Sequence, residues 1–358
     1  MKIFMYHSDN GGCGYFRVKQ PAKWLAKHCE VKRLPDEYSD KIIPFEDTLS
    51  KDYNKEIGTF KAHAEWADVL CYQRVDKPEL VSLMYAVRQV LKKEVVVDYD
   101  DDLFNVPPDN PAYRVFFPGS EHQFWCMKAM TEASLVTVST KYLADEFRKY
   151  NKNIEVIPNY VDLEVMGIEK EIPKSDDKVV IGWIGSPTHY KDFKECLSAL
   201  KRVLRHQENV IFKYAGMETD YLADLRKEFG ENRIVSLGWI KNSEYYQKLK
   251  ELDIDIYIAP LQRHPFNDGK SNLKWLEASA LKKPLVASKV GAFDNIEDGI
   301  NGFIAIDESD WYYILSNLVK DKHLREKIGN NAYNDVKNNW NIETRIKDRI
   351  EIYQRYLQ

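Results

Sequence analysis

The chain has 358 residues, of which 44% are hydrophobic, 30% charged and 13% aromatic, and its formal net charge is −4. That length exceeds one ordinary core and suits two domains of roughly 150 to 200 residues, while the composition excludes a largely disordered chain and the charge excludes a global basic field for nucleic acid or anionic membrane. The five cysteines, Cys13, Cys29, Cys71, Cys126 and Cys196, are scattered and include no CxxC pair, which points to reduced thiols instead of a disulfide frame or zinc site and to the cytoplasm as compartment.

The opening "MKIFMYHSDNGG" turns polar too soon to read as a signal peptide. No stretch reaches the ~18 apolar residues of a membrane span, so no transmembrane segment is expected. In chain order, runs rich in β-branched and aromatic residues predict strands at 2–6, 68–73, 94–99, 135–139 and 154–158. A second series follows at 179–185, 210–216, 234–238, 254–260, 284–288 and 302–306. Helix-length amphipathic segments lie between them at 15–28, 79–92, 141–150, 192–206, 219–229, 243–251, 272–282 and 310–319. Several strands are apolar nearly throughout, as in a parallel sheet covered by helices on both faces. The charged stretch "LEVMGIEKEIPKSDDK" (163–178) separates the two series and reads as a linker. The fold class is therefore α/β, with two doubly wound parallel-sheet domains, and the chain beyond 320 is helical and highly charged.

Ligands of open parallel sheets bind at the carboxyl ends of strands, where the next helix start presents backbone amides. Four such places carry unusual residues. After the first strand, "HSDNGGCGYFR" holds Gly11, Gly12 and Gly14, a turn that permits close backbone approach but lacks the GxGxxG spacing of a dinucleotide site. At the end of strand 94–99, Asp98, Asp100, Asp101 and Asp102 form a like-charged cluster that needs a cation, donor hydroxyls or a helix N-terminus to relieve it, or else caps its own loop. After strand 179–185, Gly185 and Ser186 offer amides and a hydroxyl to a phosphate, with His189 and Lys191 on the same loop. In "HPFNDGKSNLKWLEASALKKPLVASK" (264–289), Arg263 and Lys270 flank a loop ending in Ser271 or Asn272, either a suitable N-cap for the helix carrying Glu277. Cations near a helix start oppose its dipole unless an anion sits between them, and a diphosphate meets that requirement.

These residues carry a resemblance. From "VVIGWIGSPTHYKDF" through "YAGMETDYLADLRKEF", "LDIDIYIAPL" and "GKSNLKWLEASALKKPLVAS" to "GAFDNIEDGINGFIAI", the second half resembles the donor domain of retaining glycosyltransferases of family 4. The first half, through "GGCGYFRVKQPAKWL", "VVVDYDDDLFNVP" and "ASLVTVSTKYLADEF", is similar to a branch found in bacteriophage and surface-polysaccharide gene sets. The resemblance implies the GT-B fold, two Rossmann-like domains facing across a cleft: residues 1–168 on the acceptor side, 176–340 binding the donor, and 341–358 a helix crossing back to the first domain. It implies a metal-independent, retaining hexosyltransferase with no cofactor, whose donor is a nucleotide-sugar, UDP-linked, and whose acceptor hydroxyl belongs to a glycan, protein, lipid or hydroxylated base in phage DNA.

The nucleotide-sugar site so implied comprises Gly12, Gly14, Gly185, Ser186, His189, Lys191, Gly216, Trp239, Arg263, Asp268, Gly269, Lys270, Ser271, Asn272 and Glu277, with Glu277 on the ribose hydroxyls. Arg263 and Lys270 then neutralise the leaving diphosphate, and Asp100, Asp101 and Asp102 orient the acceptor hydroxyl or the sugar. Three features depart from the family pattern: Gly269 replaces a glutamate eight residues before Glu277, with Asp268 beside it, Ser186 replaces an arginine, and the aspartate cluster occupies the region of a first-domain histidine typical of many relatives. The Gly269 and Ser186 departures motivate an alternative, a sugar-nucleotide-binding or scaffold protein that lost turnover. A nucleotide-sugar epimerase is a third reading, which calls for more acid and base residues across the cleft.

Overall fold

The computed structural model describes residues 1–34, 60–167, 177–185, 187–189, 191–216, 218–241 and 244–357. The first domain is a six-stranded sheet of β1 (Lys2–Tyr6), β2 (Glu30–Arg33), β3 (Val69–Gln73), β4 (Glu94–Tyr99), β5 (Leu135–Val138) and β6 (Ile154–Val156) in the order β2-β1-β3-β4-β5-β6. The second sheet holds β7 (Val179–Ile184), β8 (Val210–Ala215), β9 (Ile234–Ser236), β10 (Ile256–Ala259), β11 (Leu285–Ser288) and β12 (Phe303–Ala305) in the order β12-β11-β10-β7-β8-β9. Every pairing in both sheets is parallel. β3, β5, β7, β10 and β11 are buried along their whole length, which is why they read as unbroken apolar runs.

Parallel neighbours force crossover helices onto both sheet faces, and each face fills its own core. Tyr72, Val97 and Met130 lie among the side chains on one side of the first sheet, while Ile3, Val69 and Trp24 fill the other. Around the second sheet, Trp275, Leu276 and Ala287 belong to one core and Leu200, Phe212 and Trp311 to the other. The last helix, Ile342–Arg355, inserts Ile342, Ile346, Ile352 and Tyr353 into the first domain's core beside Trp24 and Leu25. Each such buried side chain contributes about 1.5–3 kcal/mol relative to exposure. Arg349 Nη1 also donates to Arg17 O at 3.2 Å.

The two chain crossings between domains run side by side, with a parallel bridge joining Val161 to Asn341. Part of the expected linker is ordered helix: Asp162 accepts from Glu164 N at 3.1 Å to cap Leu163–Met166, and Met166 is buried in the second domain's core. Residues 168–176 of that stretch lie outside the described residues. The helix expected at 15–28 begins earlier, at Gly12, and passes through a π-helical turn, Tyr15–Lys19, before ending at Leu25. Among the elements without a counterpart in the sequence expectation are the strand β2 and the helices Phe60–Trp66 and Glu121–Glu132.

Candidate functional site

In each sheet the strand order reverses at one place, between β1 and β3 in the first and between β7 and β10 in the second. The crevice outside the carboxyl ends of those strands is where open α/β sheets bind ligands.

On the second-domain side, the end of β7 is built by close backbone approach. Gly216 has φ +125°, and a Cβ there would lie 2.0 Å from Gly185 O, so only glycine fits beside Gly185. Ser186 lies outside the described residues. His189 bonds Asp192 through Nδ1 at 2.8 Å, and Asp192 in turn accepts from Gln262 N at 2.8 Å and Asn267 Nδ2 at 2.9 Å. Asp192 thus ties the loop after β7 to the loop after β10. Burial holds the His189 imidazole below its ordinary pKa, with Lys270 and Lys274 adding to the effect and Asp192 opposing it. Lys191 pairs with Asp109 of the first domain at 2.9 Å. Both line an interdomain cleft of ≈ 480 Å³ together with Arg263, His264 and Asn267. Arg263 is exposed, and among the described residues no carboxylate lies within ion-pair distance of it.

Beyond that cleft, a short helix Pro265–Asp268, not anticipated from sequence, leads into the loop 269–272. Asp268 Oδ1 accepts from Gly291 N at 3.0 Å. Lys270 Nζ pairs with Asp101 at 3.1 Å, with side-chain exposures of only 17% and 29%. Burial works against the Lys270 charge, but Asp101, by charge and hydrogen bond, outweighs it and holds the pKa above its ordinary value. Ser271 Oγ accepts from Asn159 Nδ2 at 2.9 Å. Asn272 occupies the N-cap position of the helix Leu273–Ala280, yet its side chain makes no capping hydrogen bond, so neither expected cap acts as one.

On that helix Glu277 is 4% exposed and pairs with Lys274 at 2.8 Å. Lys274 Nζ also donates to Tyr245 OH at 3.0 Å. Burial opposes the charge on Lys274, while Glu277 and Tyr245 raise its pKa above the ordinary value; burial and Glu277 push the Tyr245 phenol up. Lys274 was missed in the sequence reading, although its i, i+3 spacing to Glu277 on one helix face was a legible signal. Trp239 is 62% exposed.

On the first-domain side the aspartates divide. Asp98 is fully buried and receives Arg17 through two bonds of 2.7 Å, with Thr137 Oγ1 at 2.5 Å. Those partners hold its carboxyl below the usual range against the effect of burial. Asp102 accepts from Phe104 N at 3.1 Å and Asn105 Nδ2 at 2.7 Å, and so caps its own loop. Asp101 faces Lys270, and Asp100 lies beside the Cys13 thiol. In the glycine turn, Asp9 Oδ1 accepts from Gly11 N at 2.7 Å and Gly14 N at 3.2 Å. A Cβ on Gly14 would strike Asp9 O at 1.9 Å, whereas Gly12 has open space. Arg74, at φ 49°, pairs with Asp9 at 3.4 Å.

The structure therefore brings His189, Lys270, Lys274 and Glu277 to one crevice facing Asp101. It places Arg263 and Lys191 in the adjoining cleft. Among the described residues no three His, Cys, Asp or Glu side chains converge as metal ligands, and no helix is long and apolar enough to cross a membrane.

Residues 178–321 match the family described as Glycosyl transferases group 1. An uncharacterized glycosyltransferase of Methanocaldococcus jannaschii is 25% identical over 215 residues, covering 57% of this chain; the chain spans about half of that relative, 53% of its length. Among solved structures, HepE of Anabaena, crystallised in complex with UDP and glucose, superposes with a TM-score of 0.69 at 17% identity, covering 99% of each chain. A glycosyltransferase from Rickettsia africae superposes with a TM-score of 0.70 at 16% identity, covering 100% of this chain and 98% of that one. Residues 178–321 thus form a glycosyl transferases group 1 domain, and the chain as a whole has the two-domain GT-B fold.

Proposed function

We propose that the protein transfers a hexose from a nucleotide-sugar, UDP-linked, to an acceptor hydroxyl with retention of anomeric configuration. The observation that carries this reading is the crevice at the β7–β10 reversal, where Lys274 pairs with the buried Glu277 carboxylate and Lys274 and Lys270 both act on His189. Two vicinal ribose hydroxyls are suited to a carboxylate acceptor, and a diphosphate is suited to paired ammonium groups. The UDP bound by HepE supports uridine as the base.

In this account the bond between the anomeric carbon and the β-phosphate oxygen breaks while the acceptor oxygen attacks from the same face. The acceptor proton passes to the departing phosphate oxygen, so no separate base is required. Lys270, with Arg263 and Lys191 at the adjoining cleft, neutralises charge that grows on the leaving diphosphate. Asp100 and Asp101 orient the acceptor hydroxyl, and the protein's contribution is position and charge. No metal is required, and the free cysteines accord with a cytoplasmic enzyme. The acceptor is a glycan, protein, lipid or hydroxylated nucleic-acid base.

Incubation with UDP-glucose, UDP-galactose and UDP-N-acetylglucosamine tests the proposal. Release of UDP and transfer with an unchanged anomeric centre, read by NMR, is expected for one of them, and Glu277→Ala and Arg263→Ala each reduce it at least tenfold. An inverted product overturns retention. A new nucleotide-sugar in place of UDP would show epimerisation. Retained donor binding without hydrolysis or transfer would favour the binding-protein reading, which the Gly269 and Ser186 departures support.

A further inference from the structure

Three consecutive residues of the donor-side loop are each held by the first domain. Thr140 Oγ1 donates to Gly269 O at 3.2 Å, Asp101 takes Lys270 at 3.1 Å, and Asn159 Nδ2 donates to Ser271 Oγ at 2.9 Å. The approach at Gly269 is close: a Cβ there would lie 3.2 Å from Leu143 Cδ2 and 3.3 Å from both Asp102 Cβ and Tyr142 Cδ1. A side chain at residue 269 would therefore have to push the Leu143, Asp102 and Tyr142 side chains aside by a few tenths of an ångström. Lys270 is fixed further by its position over the Phe266 ring, 4.4 Å from the centroid.

A half-buried ammonium needs a counter-charge. Asp101 provides it at 3.1 Å, and a diphosphate would provide more of it at the same place. Asp101 and the diphosphate on one ammonium would put two anions in contact, so each disfavours the other. Lys191 and Asp109 repeat the arrangement at 2.9 Å in the adjoining cleft.

We propose that Asp101 is a positioning residue that competes with the donor's diphosphate for Lys270, so that donor binding releases Asp101 to the acceptor hydroxyl and the donor binds first. The inference rests on the nucleotide-sugar reading above. Once displaced, Asp101 loses its ion-pair partner and stands next to the Asp100 carboxyl, whose charge repels it, an arrangement that favours taking a hydroxyl donor. In this way the loop that receives the leaving group also times the acceptor site.

The test is titration calorimetry with inorganic pyrophosphate and, separately, with UDP, on the wild type, Asp101→Asn, Asp101→Ser, Asp101→Glu, Lys270→Met and the Asp101→Asn/Lys270→Met pair. Removing the Asp101 charge should tighten both ligands about fivefold, Asp101→Glu should return the wild-type affinity, and Lys270→Met should abolish the gain. A merely structural Asp101 would weaken binding on removal. Affinity for both ligands unchanged or reduced in Asp101→Asn and Asp101→Ser, or a gain that persists without Lys270, overturns the proposal. Should UDP fail to bind while pyrophosphate shows the gain, the competition stands and the uridine donor falls. Should UDP bind and the Asp101 variants add nothing, the donor reading stands and the competition falls. Binding of neither ligand to the wild type overturns both.

Discussion

Four carboxylates within five residues, from Asp98 to Asp102, meet four different environments. Asp98 neutralises a buried guanidinium, Asp102 caps a turn, Asp101 crosses the cleft and Asp100 sits beside a thiol. Burial, followed by repulsion from Asp101, raises the Asp100 carboxyl from the ordinary 3.8 to about 6. A raised acid binds its proton in the folded chain over a window, from about pH 4 to 6, in which the unfolded chain has released it. Stability therefore falls as pH rises through that window, and above it Asp100 is a net cost. Asp100→Asn should raise Tm by about 2 °C at pH 8 relative to the wild type, with the gain fading at pH 4. A gain of equal size at both pH values would contradict the assignment. The cluster was visible in the sequence, but which member did what was not, because partners such as Arg17 and Lys270 lie far away in the chain.

At the level of elements, the buried strands were legible because burial on both faces leaves uninterrupted apolar runs. β2, "EVKR", was not, since it lies at a sheet edge and alternates exposed with half-buried residues. The helix Glu121–Glu132 was overlooked although Ser120 caps it by accepting from Gln123 N at 3.3 Å, because its polar residues break up the apolar face. The π-helical turns Tyr15–Lys19 and Val336–Trp340 have no sequence signature, and each lies near a junction between domains. The tight meeting of β7 and β8 makes its own demand. Gly216→Ala should destabilise the protein by about 2–4 kcal/mol, measured by denaturant unfolding, because φ +125° and the 2.0 Å approach to Gly185 O both exclude a Cβ. Gly12→Ala, with open space around it, should change stability little; equal losses at the two positions would refute this distinction.

For the whole molecule, the two-domain plan followed from two strand series, whereas the contacts across the cleft did not. Arg263 and Lys270, close in sequence, turn out to serve adjoining regions: Arg263 lines the Lys191–Asp109 cleft and Lys270 faces Asp101. Lys274 joins the site through Glu277, three residues along the same helix face. If ammonium groups carry the leaving-group charge, catalysis should continue undiminished in excess chelator; loss of activity restored by manganese or magnesium would show a metal in that role. The central claim, that the β7–β10 crevice grips a nucleoside diphosphate, is tested most directly by titrating the protein with UDP. The account predicts one saturable site per chain, with affinity lost by at least tenfold in Glu277→Ala. Absence of UDP binding, or binding that Glu277→Ala leaves unchanged, would contradict it.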